Sequence, residues 1–145
     1  MSFYIQSMGT LSIPLECVDA AWQAIKELNA SDDGKSGGIG PAKRIRPEDS
    51  KSLSQNPNAN FAYLPWDYDV QFTSLDDFLK ELGFESVERT ETNLVFGDFN
   101  AKSGDEEVFM KAIAPFVPGF QDMLWVREDL VTFKFQYEDG TVTVI

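Results

Sequence analysis

Residues 103–145, SGDEEVFMKAIAPFVPGFQDMLWVREDLVTFKFQYEDGTVTVI, decide the fold. Ser103 followed three residues later by Glu106 has the form of a capping box, and Asp105, Glu106 and Glu107 place negative charge where the first turn of a helix favours it. Phe109, Ala112, Ile113 and Phe116 recur at helical spacing, and Pro115, Pro118 and Gly119 stop the run. Val131, Phe133, Phe135 and Tyr137 then alternate with Thr132, Lys134 and Gln136, the period of a strand with one face buried and one wet. Met123 to Arg127 reads as its partner across a turn at Glu128-Asp129. Asp139-Gly140 is a type I′ hairpin signal that returns the chain as Thr141 to Ile145.

Working outward, Ser74 with Asp77 three residues on opens a second helix carrying Leu75, Phe78, Leu79 and Leu82, and Gly83 closes it. Glu85 to Glu91 and Leu94 to Phe99 form a hairpin across Thr92-Asn93. FLKEL and GFES at 78–86 recur as FMKAI and GFQD at 109–122 with five residues inserted, a faint internal echo. At the other end, Phe3, Ile5, Leu11 and Ile13 mark a first strand, with Met8-Gly9 breaking the run at a bulge. Pro14 begins a helix whose apolar stripe is Leu15, Val18, Ala21, Trp22, Ile25 and Leu28, ending near Asn29. Trp22 in that stripe reads as core. The expected fold is α+β: a mainly antiparallel sheet with about three helices on one face, in the order β-α-loop-α-β-β-α-β-β-β. Residues 1–145 read as a single domain.

Residues 30–60 are different material, rich in Ser, Gly, Asn, Pro and Lys, with little apolar beyond Ile39, Ile45 and Leu53. By composition this is a long irregular loop, functional or disordered. Phe61, Tyr63, Trp66 and Tyr68 are expected to bring the chain back onto the body.

A chain of 145 residues can bury about 70% of its unfolded surface and needs no staples. The single cysteine, Cys17, cannot form an intramolecular disulfide, and no apolar run approaches a membrane span. With no basic and apolar leader at the start, these features predict a soluble, cytoplasmic protein. Charge is the dominant global feature: 24 acidic against 12 basic residues, a net charge of −12. Residues 61–145 hold 17 acidic and 6 basic residues, whereas residues 31–60 hold 4 acidic and 5 basic. A field of that sign repels nucleic acid and anionic membrane and speeds association with basic protein surfaces.

No histidine occurs, which removes the usual general base and the commonest metal ligand. Gly34-Lys35-Ser36 imitates the end of a phosphate-binding loop but lacks the earlier glycine, which is Asn29, and follows a helix where a strand is needed. Asp98-Phe99-Asn100 opens like a calcium loop, yet its sixth position is Ser103 and its twelfth Phe109, which excludes an EF-hand. No catalytic residue, cofactor or metal is therefore expected. The basic cluster Lys43, Arg44 and Arg46 reads as solvated or docked on the acidic body.

Two function classes remain. The first is a non-enzymatic binding protein whose acidic surface, with Asp105, Glu106, Glu107, Glu128, Asp129, Glu138 and Asp139 as candidates, occupies a basic site on another protein. Glu128-Asp129 and Glu138-Asp139 lie at opposite ends of one strand, so they cannot make one compact cluster. The second is a small-ligand binder or minor enzyme with a pocket at Trp66, Asp67, Tyr68 and Asp69, where aromatic neighbours desolvate paired carboxylates. Thr141 and Thr143 on an exposed final strand leave open an edge-to-edge homodimer.

The acidic charge, the small α+β body, the lack of histidine, the long irregular loop and the terminal YEDGTVTV strand after an amphipathic helix resemble the small acidic proteins encoded by bacteriophages, including anti-defence and anti-CRISPR inhibitors. The resemblance is architectural and covers most of the chain outside residues 30–60. It implies an inhibitor of a bacterial immune complex that binds a protein partner in the host cytoplasm; a structural accessory role in the phage is the alternative.

Overall fold

The computed structural model describes residues 3–35 and 50–145. Ser36, Ile39, Lys43, Arg44, Ile45 and Arg46 lie outside the described residues. The element order is β1 (Tyr4–Met8), β2 (Thr10–Pro14), α1 (Leu15–Glu27), α2 (Tyr68–Gln71), α3 (Leu75–Leu82), β3 (Phe84–Arg89), β4 (Asn93–Lys102), α4 (Glu106–Ala112), β5 (Phe120–Arg127), β6 (Thr132–Glu138) and β7 (Thr141–Val144). The fold is α+β with an antiparallel sheet, as the strand alternation predicts; among the described residues the sheet has seven strands where the sequence order has six, because the expected first strand is divided into β1 and β2. The short α2 is the one α-helix without a counterpart in the sequence reading.

Strand β4 is the hub. It pairs with β3 on one edge and with β1 and β2 in tandem on the other, and β1 continues the sheet through β5, β6 and β7. Tyr4 lies opposite Lys102 and Gln6 opposite Asn100, whereas Thr10 lies opposite Gly97, so the β1–β2 side carries one extra residue across this interval. That is the bulge foreseen at Met8-Gly9, with Gly9 at φ +92° and, facing it on β4, Asp98 at φ +56°. The Ser7 hydroxyl accepts the hydrogen bond of the Phe99 amide here, replacing a ladder bond. Gly97 is needed at the bend, because a Cβ there would stand 2.5 Å from the Gly9 carbonyl oxygen. Beyond the bend, the Gln121 side chain accepts from the Ser12 amide and donates to the Ser12 carbonyl, acting as a piece of strand against the edge of β2.

One face of the sheet carries Ile5, Leu11, Ile13, Leu94, Phe96, Phe99, Trp125, Phe135 and Tyr137, all buried. The helices lie on this face, and Trp22 is core as expected. Phe109 of α4 is central to the packing, its ring centroid 5.0 Å from those of Phe61 and Phe78 and 5.9 Å from Tyr68. Such edge-on aromatic pairs add to the burial of their area. Tyr68 and Tyr137 donate their hydroxyls to the carbonyls of Ile25 and Met110, so neither buried phenol is left without an acceptor.

Local signals set the ends of several elements. Ser74 caps α3 by accepting from the Asp77 amide, and Gly83 follows it at φ +140°. Asp139 and Gly140 both have positive φ, the requirement of a type I′ turn, between paired Glu138 and Thr141. The expected capping box at Ser103 is not formed. Asp105 is the N-cap of α4 and Glu106 its first residue, and the Ser103 hydroxyl donates to the Glu106 carboxylate instead of accepting from an amide.

Candidate functional site: the open face of the sheet

Residues opposite one another in an antiparallel ladder share a face, so the pairings place Tyr4, Gln6, Met8, Asn100, Lys102, Leu124, Val126, Thr132, Lys134, Gln136, Thr141 and Thr143 together on the side away from the helices. Tyr4 is 52% and Met8 59% exposed, and the remainder are exposed or half-buried. Asp122 and Phe120 share this face by the same register, opposite Gln136 and Glu138. The tip between β5 and β6 adds Leu130, which is 81% exposed and held at φ +67°. A leucine in the left-handed region is uncommon, and one that also presents its whole side chain to water is a notable feature of this edge.

Where the sheet bends, the open face is concave. A groove of about 480 Å³ is lined by Gln6, Ser7, Met8, Glu85, Asp98, Phe99, Asn100 and Val126. Glu85 and Asp98 enter it from the neighbouring strands β3 and β4, and neither forms an ion pair among the described residues. The Gln6 and Asn100 amides meet at 3.5 Å beside them. Asp122, which shares this face, is engaged by Lys134 at 3.7 Å.

The acidic residues singled out in the sequence divide into three kinds. Asp105–Glu107 and Glu128-Asp129 come to the same end of the sheet, because the Ser103 amide donates to Phe3 and the Glu128 amide to Tyr4 at the start of β1. Glu138 and Asp139 stand at the far end, as the strand geometry requires. Within the near group, however, Glu106 is buried, its carboxylate accepting from the Ser103 hydroxyl and the Gly104 amide at 2.7 Å each, so it is not a surface contact. Asp105 accepts from the Ala62 amide at 2.7 Å and Glu128 accepts from the Tyr4 amide, so both hold the fold together. Asp129 accepts from the Val131 amide and pairs with Arg127 at 2.9 Å. Glu107 is exposed and pairs with Lys111 at 3.3 Å, an ordinary solvated helix pair.

The alternative site at residues 66–69 is interior. Trp66, Asp67 and Tyr68 are at most 1% exposed and Asp69 is 8% exposed. The Asp69 carboxylate accepts from the Asn29 amide at 2.8 Å, the Ser52 hydroxyl at 2.6 Å and the Leu53 amide at 2.7 Å. Aromatic neighbours do desolvate these carboxylates, but as core packing, and Asp69 is spent on anchoring the segment around residue 52 to the end of α1. Burial, and secondarily the charge of Asp69, pushes the Tyr68 phenol well above its ordinary value. Lys35 of the imitation phosphate loop is also committed, with Nζ 3.3 Å from Asp32 and near the Phe61 ring.

Among the described residues no group of histidine, cysteine or carboxylate side chains is arranged to hold a metal ion, and no helix is long and apolar enough to cross a membrane. The sequence does not single out the groove residues Glu85, Gln6 and Met8 as functional, and it offers Asp98 only as the first residue of an imitation calcium loop. Strand parity was the available signal: Tyr4, Gln6 and Met8 alternate against buried Ile5 and Ser7. No protein-family model, curated protein or solved structure matches the chain.

Proposed function

We propose that this chain is a non-enzymatic, acidic protein-binding module that occupies a basic, nucleic-acid-binding site of another protein, acting in the bacterial cytoplasm as a phage-type inhibitor of a defence complex. The observation that supports this reading is the face of the sheet that no helix covers among the described residues, where Tyr4, Met8 and Leu130 are exposed beside Glu85, Asp98 and Glu128. Exposed apolar and aromatic side chains grouped among polar ones are the anatomy of a protein interface. A net charge of −12 opposes nucleic acid as the ligand and favours a surface built to hold it.

The test is capture from a bacterial lysate on immobilised protein at about 50 mM and about 300 mM salt, with elution by duplex DNA. A nucleic-acid-binding protein retained at the lower salt, lost at the higher and displaced by DNA supports the reading. Retention indifferent to both salt and DNA, or no retained protein, sinks it.

A further inference from the structure

The bend in the sheet gives the proposed interface a specific anchor. We infer that the groove between β3, β4 and β1 receives an arginine side chain from an extended arginine-rich segment of the partner. This inference rests on the proposed acidic binding role and names the contact within it.

Glu85 and Asp98 are exposed, sit on adjacent antiparallel strands, and are not neutralised by any described cation. Several carboxylates elsewhere do meet a cation: Asp76 meets Arg89, Asp122 Lys134, Asp129 Arg127 and Glu107 Lys111. Two unopposed carboxylates in one concavity favour a cation by simple attraction, which is strengthened where the walls exclude water. The lining here is partly apolar, with Met8 and Val126 sharing it with the carboxylates.

Arginine fits this set better than lysine. A guanidinium has five N–H donors in a plane, enough to meet two carboxylates and the amide oxygens of Gln6 and Asn100 together, whereas an ammonium is a compact, strongly hydrated point charge. The three-carbon stem of arginine would lie along Met8 and Val126 while its head reaches the acids. A groove of about 480 Å³ exceeds one such side chain, leaving room for the flanking backbone of an extended segment. The open face continues past Val126 to Tyr4 and Leu130, whose exposed surfaces would receive neighbouring residues of that segment.

The test is fluorescence anisotropy with labelled nona-arginine and nona-lysine peptides at matched, moderate salt. The protein is used unaltered, as Glu85→Gln with Asp98→Asn, and as Glu16→Gln with Glu27→Gln. The last pair removes the same charge from α1 on the covered side. Asparagine is chosen at Asp98 because it adopts the left-handed backbone readily. Glu85→Gln alone, at an exposed strand position, carries the test if the double variant loses its melting transition. The expected result is a preference for arginine over lysine of about fivefold, lost together with about tenfold in arginine affinity in the groove variant and nearly unchanged in the α1 variant. Equal affinity for the two peptides, or equal weakening by both variants, would show that only net charge matters, overturning the groove while leaving the acidic binder standing. No binding of either peptide would overturn both.

Discussion

The Asp69 carboxylate and the Asn29 side-chain amide, forty residues apart in the chain, are joined by a hydrogen bond of 2.8 Å in the interior. The same carboxylate takes the Ser52 hydroxyl and the Leu53 amide, so one buried acid fastens α1, α2 and the segment around residue 52 to each other. Asn29 also donates to the Trp66 carbonyl. Asp69→Ala leaves these donors unsatisfied in a buried setting and should cost about 3 kcal/mol, read from the urea midpoint. Limited proteolysis should show new cleavage between residues 50 and 56. An unchanged midpoint and cleavage pattern would show that the segment is held by packing alone.

Asp76 and Arg89 make a two-pronged ion pair, with both contacts at 2.8 Å. The hydrogen bond from Arg89 holds the Asp76 carboxyl below its ordinary value of 3.8, against the opposing effect of partial burial. A depressed folded value means that the pair's stabilisation is fully present above the ordinary value and lost as the pH falls through the folded one. Arg89 is half exposed, so the contribution is modest, about 0.5–1 kcal/mol. Asp76→Asn should therefore be less stable than the parent by that amount at neutral pH, with the difference shrinking below pH 3.8. Urea titrations at neutral and acid pH make the comparison, and a difference independent of pH would remove the ion pair as its cause.

Gly97 and Gly119 separate two reasons for glycine. At Gly97 an added methyl would meet the Gly9 backbone at 2.5 Å, and backbone cannot step aside as a side-chain end can. At Gly119 nothing lies within 4 Å, and only the φ of +65° resists substitution. Gly97→Ala should cost about 2–3 kcal/mol and Gly119→Ala about 1 kcal/mol. Thermal melts of the two variants check the order. If Gly119→Ala were the more damaging, the close strand contact at the bend would not be what requires Gly97.

The features that were legible in the sequence are those whose cause is local. Ser74 needs only the Asp77 amide to be a cap, and Asp139-Gly140 needs only its own backbone angles to be a turn. The alternation from Val131 to Tyr137 foretold one buried and one wet face, although β6 itself starts at Thr132, after a turn that holds Leu130 in the left-handed region. What the sequence hid depends on partners far along the chain. Glu85 and Asp98 define a groove only once β3 is paired with β4 and β1 with β5, and Gln6 and Val126 are 120 positions apart. Trp66 to Asp69 misled for a related reason: an acidic and aromatic run looks the same whether it lines a pocket or is sealed by Asn29 and Ser52.

Glu106 and Glu107 are adjacent and chemically alike, yet they should respond to substitution to very different degrees. Glu106 turns back to accept from Ser103 and Gly104 inside the structure, whereas Glu107 projects into solvent beside Lys111. Glu106→Ala removes two hydrogen bonds to a buried charge and should cost about 2 kcal/mol, while Glu107→Ala should cost less than about 0.5 kcal/mol. Urea midpoints of the two variants settle the assignment. The distinction governs any charge-reversal test of this end of the molecule: Glu106→Lys would bury an ammonium among the donors that the carboxylate now accepts, and a loss of partner binding would then report unfolding of the start of α4. Glu107→Lys changes the same charge at an exposed position. If Glu106→Ala proved as mild as Glu107→Ala, the inward-turned carboxylate would not be holding the 103–106 turn.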